Sequence, residues 1–95
     1  MAVTEIKKLR ILVSGSVQGV WYRASAREKA SETGLKGWAK NLSDGQVELL
    51  LVGSDEKVDE FVRWCGEGPP AAEVSHVETA IVEDIDVPDE FEIRR

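Results

Sequence analysis

Cysteine and histidine are almost absent: the 95 residues hold one of each. The lone Cys65 excludes an internal disulfide and suits a reducing compartment, so a cytoplasmic protein is expected. The lone His76 excludes a His-rich metal site, and an ordinary strand residue is its expected role. No apolar run approaches the roughly 20 residues that span a bilayer, so no membrane partner is expected. The first residues carry no apolar h-region, so no signal peptide is expected either. Basic residues are outnumbered, 12 against 18 acidic ones, for a net charge of −6. That balance argues against generic nucleic-acid or anionic-membrane binding. Aromatic residues make up only 6%, and the aromatic platform of an RNA-binding sheet is missing from the central strand expected below.

What remains is 42% apolar and 32% charged residues, the balance of a globular rather than a disordered chain. Ninety-five residues leave no room for a second core, so one domain is expected over residues 1–95. Nothing in the pattern demands more than a monomer. Charge is unevenly spread. Residues 1–41 carry a balance of +5 and residues 42–95 a balance of −11. Differing solvated faces explain such a split, and so does a locally positive site on an acidic protein.

Leu9, Ile11 and Val13 alternate with Arg10, Leu12 and Ser14, the pattern of a half-buried strand. Residues 22–33 suit a helix whose inner face is Tyr22, Ala26 and Ala30, with Gly34 in a left-handed conformation ending it. A second strand is expected over Lys36–Leu42, a turn at Ser43-Asp44-Gly45 and a third strand over Gln46–Val52. The third strand is apolar on both faces, so it belongs in the middle of its sheet. Ser54 suits an N-cap, and Asp55 and Glu56 oppose a helix dipole. Val58, Phe61, Val62 and Cys65 then form one helical stripe. Gly66, Gly68, Pro69 and Pro70 stop that helix. A fourth strand is expected over Val74–Val82, an acidic connection over 84–90, and a short strand at Phe91-Glu92-Ile93. This β-α-β-β-α-β order with a short C-terminal strand predicts an α+β, ferredoxin-like split βαβ sandwich: a mainly antiparallel sheet with both helices on one face.

The chemistry concentrates in Gly15-Ser16-Val17-Gln18-Gly19-Val20-Trp21-Tyr22-Arg23. Two glycines bracket a short loop between a strand and a helix, and an arginine follows in the first helical turn. Inward backbone N–H groups, a helix N-terminus and a guanidinium make an anion cradle. The Walker A ending and the dinucleotide fingerprint are both absent. A Gly-bracketed loop also serves as a plain tight turn, and Arg23 also suits a solvated or ion-paired helix position. In Gly37-Trp38-Ala39-Lys40-Asn41, Asn41 is either a turn-initiating residue or an amide that holds a water or a substrate oxygen. Cys65 is followed six residues on by Ala71 rather than arginine, so a cysteine-phosphatase loop is absent. Cys65, Trp38 and Trp64 suit packing roles, and Trp21 borders the cradle.

Gly15-x-Val17-Gln18-Gly19-Val20-x-x-Arg23 resembles the first signature of the acylphosphatase family. Gly37-Trp38-Ala39-Lys40-Asn41-x-x-x-Gly45-x-Val47, with Gly53 beyond it, is similar to the second. Gly68-Pro69-Pro70-Ala71 and Phe91-Glu92-Ile93 add to the likeness, which spans nearly the whole chain. The resemblance implies the ferredoxin-like fold and metal-free hydrolysis of acyl phosphates to a carboxylate and inorganic phosphate, with no cofactor. Carried over by position, Arg23 binds phosphate, Asn41 positions the attacking water, and the backbone N–H groups of Ser16, Val17, Gln18, Gly19 and Val20 complete the cradle. The implied partners are a small acyl phosphate and its phosphate product. The competing reading is a non-catalytic phosphate- or anion-binding module; an RNA-binding ferredoxin-like domain is disfavoured by the acidic surface.

Overall fold

In the computed structural model, residues 6–83 and 86–94 are described. The elements run β1 (Ile6–Ser16), α1 (Tyr22–Thr33), β2 (Lys36–Asn41), β3 (Val47–Ser54), α2 (Asp55–Glu67), β4 (Glu73–Ile81) and β5 (Phe91–Arg94). The strands form one sheet in the order β4-β1-β3-β2-β5. All pairings are antiparallel except β2 with β5. Each helix crosses between two parallel strands with an antiparallel strand inserted between them, which is the split βαβ topology. The ferredoxin-like α+β fold expected from the element order is therefore the observed one, with β3 at the centre.

Strand alternation sets which side chains face the helices. Leu9, Ile11 and Val13 of β1 and Val47, Leu49 and Leu51 of β3 are buried in one core with Val58, Phe61 and Cys65 of α2. Full burial of a side chain such as Phe61 stabilises by about 1.5–3 kcal/mol. From α1 the core receives Tyr22, Ala26 and Ala30, and the two alanines let that helix lie close to the sheet. Trp64 packs between Tyr22 and Phe61, with ring centroids 5.3 and 5.4 Å away. On the other face of the sheet, the nearly buried carboxylate of Glu48 pairs with Arg10 and Lys40. Lys40 and Arg94 lie over the Trp38 ring, so both tryptophans have packing roles. His76 is an exposed strand residue.

Several boundaries differ from the sequence expectation. The first strand runs well past the alternating core in both directions, because pairing with β3 and β4 extends it. The second strand stops at Asn41 rather than Leu42, whose N–H closes the hairpin on the Gln46 carbonyl at 2.8 Å. The third strand starts at Val47 and reaches Ser54, and the fourth spans Glu73–Ile81. Ser54 stands at the N-cap of α2, but its side chain makes no capping hydrogen bond. Gly66 does not stop α2, which continues to Glu67 and caps at Gly68. Gly34 ends α1 in the left-handed conformation, as expected. Residues 84 and 85 of the acidic connection lie outside the described residues.

Candidate active site

The loop between β1 and α1 is shaped by what its ends must do. Gly15 sits at a shift in the β1–β4 register with φ 121°. A Cβ there would lie 2.2 Å from the Glu73 carbonyl oxygen. Gly15 thus serves the strand pairing rather than the loop. Ser16 still pairs with Glu73 in the ladder. Val17 is buried, pinning the loop to the core, and its N–H donates to the Gly15 carbonyl at 3.1 Å. Beyond it the chain swings outward through Gln18, Gly19 and Val20, with Gly19 at φ 75°. No backbone carbonyl among the described residues accepts the N–H groups of Gln18, Gly19 or Val20.

These groups open onto the N-terminus of α1, whose first turn holds no acidic residue. A helix start leaves its own N–H groups unsatisfied and carries about half a positive charge. The result is a local concentration of donors suited to an anion. Tyr22 holds the helix start in place: its ring is buried and its hydroxyl donates to the Cys65 carbonyl at 2.8 Å. Burial pushes the Cys65 thiol up to about 12 and the Tyr22 phenol well above its usual value. Cys65 is therefore a protonated core thiol and no nucleophile.

Arg23 donates from Nη1 to the Arg94 carbonyl at 2.9 Å. Arg94 pairs with Lys40 in the parallel β2–β5 ladder, so the carbonyl that orients the guanidinium lies beside the strand that ends in Asn41. Asn41 is half-buried, and its carboxamide makes no hydrogen bond among the described residues. The Gln18 side chain joins the two regions, donating from Nε2 to the Leu42 and Gln46 carbonyls at 2.7 and 2.9 Å. The Gln46 amide in turn donates to the Ser14 hydroxyl at 2.8 Å. The loop, Arg23 and the β2–β3 hairpin therefore converge at one end of the sheet.

A cleft of about 340 Å³ opens there, walled by Val17, Gly19, Tyr22, Arg23 and Ala24, with Trp21 and Ile93 at its sides. Asn41 does not line it. Sequence reasoning missed the Gln18 side chain, the Arg94 carbonyl and Ile93. Alternation in Phe91-Glu92-Ile93 places Ile93 on the same face as Phe91, but only the sheet order brings that strand beside β2. Among the described residues, no group of three or more His, Cys, Asp or Glu side chains is arranged to hold a metal ion.

Fold and site together define a ferredoxin-like domain with a loop of unpaired N–H donors at a helix start. The acylphosphatase family model matches residues 9–93. The chain is 57% identical over 70 residues to an acylphosphatase from Methylococcus capsulatus, spanning 74% of this chain and 76% of that one. It is 46% identical over 88 residues to an acylphosphatase from Haloquadratum walsbyi, spanning 93% and 94% of the two chains. The structure of an acylphosphatase from Coxiella burnetii superposes with a TM-score of 0.89 at 40% identity, covering 99% of this chain and all of that one. The chain belongs to the acylphosphatase family.

Proposed function

We propose that this chain hydrolyses the carboxyl–phosphate bond of acyl phosphates, with Arg23 and the N–H groups of Gln18, Gly19 and Val20 binding the phosphate and Asn41 positioning the attacking water. Ser16 and Val17 frame the cradle, since one pairs in the ladder and the other donates its N–H within the loop. The observation that carries the reading is the coincidence of unpaired donors, a held guanidinium and an unpartnered carboxamide at one end of the sheet, in a chain of this family.

The substrate makes such a sparse site sufficient. A carboxylate is a good leaving group and needs little protonation as it departs. Phosphoryl transfer then depends on positioning and on stabilising charge spread over the equatorial oxygens. Backbone donors and one arginine supply that stabilisation. A carboxamide offers a donor and an acceptor side by side, which orients a water for attack on phosphorus. The oxygen of that water bonds to phosphorus as the bond to the carboxylate breaks, giving inorganic phosphate. The reading extends to a monomer working in the cytoplasm, a compartment in which the lone buried thiol stays reduced.

The test is hydrolysis of benzoyl phosphate in excess chelator by the wild type, Arg23→Ala and Asn41→Ala. Arg23→Ala is expected to lose ~10²–10³ in rate, the effect of deleting one transition-state donor. Asn41→Ala is expected to lose most turnover while inorganic phosphate still binds. Full activity in either variant refutes the role given to that residue. Phosphate binding by the wild type with no turnover shows a binding module instead.

A further inference from the structure

Trp21 occupies a position where neither the fold nor phosphate binding asks for tryptophan. Its backbone is left-handed, with φ 64° and ψ 21°, and it is the one non-glycine residue at positive φ among the described residues. Glycine adopts that conformation without the steric penalty of a side chain. Trp21 stands at the N-cap of α1 yet makes no side-chain capping bond. The residue is 79% exposed, and its ring meets no other ring or cation among the described residues. Ile6 and Ile81, the other large apolar side chains left exposed among the described residues, lie toward the opposite end of the sheet. The indole is thus displayed to solvent on a strained backbone, at the edge of the cleft that contains Arg23.

The same cleft is also lined by Ile93 of β5, the strand whose Arg94 carbonyl orients Arg23. An acyl phosphate has two unlike ends. The phosphate requires donors and positive charge. The acyl carbon is only two bonds from phosphorus, so the acyl group emerges within this same cleft. Of the apolar side chains that line it, Val17 and Tyr22 are buried in the core and Ala24 is small, which leaves the surfaces of Trp21 and Ile93 to meet the acyl group.

We propose that Trp21 and Ile93 form the acyl-group subsite, and that the preferred substrates are acyl phosphates with an apolar, above all aromatic, acyl group. This rests on the hydrolytic reading given above. An aromatic acyl group stacks on the indole and buries apolar surface, whereas an acetyl group covers little of either.

The experiment compares benzoyl phosphate with acetyl phosphate in the wild type, Trp21→Gly, Trp21→Asn and Trp21→Phe. Glycine and asparagine both tolerate the left-handed backbone, so the indole is removed without adding strain. The ratio of kcat/KM for benzoyl over acetyl phosphate is expected to fall about tenfold in the glycine and asparagine variants, and to be largely kept by phenylalanine. An unchanged ratio in Trp21→Gly and Trp21→Asn overturns the proposal. Calorimetric binding of phenylphosphonate against methylphosphonate gives a readout free of turnover. If the wild type hydrolyses neither acyl phosphate, the hydrolytic reading fails and the phosphonates alone decide. A phenyl advantage lost without the indole supports the subsite, and equal ratios in wild type and variants reject it.

Discussion

Among the described residues, the Gln18 side chain makes the hydrogen bonds that tie the cradle loop to the hairpin carrying Asn41, and its removal has a calculable cost. Gln18→Ala deletes two partly buried hydrogen bonds, of 2.7 and 2.9 Å. Neither carbonyl is then orphaned. The Leu42 oxygen keeps the Gly45 N–H at 3.2 Å, and the Gln46 oxygen keeps the Leu42 N–H at 2.8 Å. The desolvation penalty for a stranded acceptor is therefore avoided, and each bond counts at its ordinary net value of about 0.5–1.5 kcal/mol. The loss is about 1–3 kcal/mol, which in a domain this small lowers Tm by on the order of 5–20 °C. The protein stays folded at 25 °C, so any loss of rate there reports geometry. A displacement of about 1 Å at a reacting centre costs up to 10²-fold, and kcat/KM for benzoyl phosphate is expected to fall at least tenfold. Gln18→Glu is expected to be worse in both respects, because it sets a carboxylate against two carbonyl oxygens beside an anion site. Thermal melts and steady-state hydrolysis measure the two effects. Wild-type kcat/KM in Gln18→Ala refutes the positioning role, and an unshifted Tm refutes the energetic reasoning.

Gly15→Ala is expected to destabilise by more than about 2 kcal/mol, because its Cβ lands 2.2 Å from a backbone oxygen at φ 121°. A denaturant midpoint close to wild type contradicts this. At neutral pH, Tyr22→Phe is expected to cost about 1 kcal/mol, the net value of the hydroxyl's bond to the Cys65 carbonyl. The alkaline limb separates the two buried acids. Both hold their protons more tightly in the folded chain, so the stability that they contribute is whole below their ordinary values of 9.0 and 10.0 and is lost as pH rises above them. Each group contributes a slope of about 1.4 kcal/mol per pH unit. Stability should begin to fall near pH 9 through Cys65 and fall faster above pH 10 through Tyr22, and Tyr22→Phe should lack the second component. Identical alkaline slopes in wild type and Tyr22→Phe, from urea melts across that range, would argue against it.

Local patterns made most of the fold legible. Alternation in Leu9, Ile11 and Val13, and in Val47, Leu49 and Leu51, marked the faces that the helices cover. The stripe at Val58, Phe61 and Cys65 marked the buried side of α2. These signals depend only on periods of 2 and 3.6 residues, which the covalent chain carries by itself. Strand ends were less legible. The reach of β1 to Ser16 comes from its partners β3 and β4, and no residue within β1 encodes it. Gly15 looked like half of a loop bracket because a glycine announces an unusual φ without saying which neighbour requires it.

The candidate site divides in the same way. The sequence by itself determined the donors: glycines and a helix start that leave N–H groups unpaired, an arginine in the first turn and an asparagine at a strand end. These are properties of short segments, and short-range sterics and hydrogen bonding suffice to set them. Only the tertiary structure decided how they are held and what else joins them. Arg23 depends on the Arg94 carbonyl, Gln18 on a hairpin more than twenty residues away, and the apolar wall on Ile93 from the last strand. The Arg94 carbonyl and Ile93 reach the site because β5 adds beside β2 in parallel. Such a pairing is selected by burial of Phe91 against the shared core, a cooperative property of the packed sheet that no local window of residues contains.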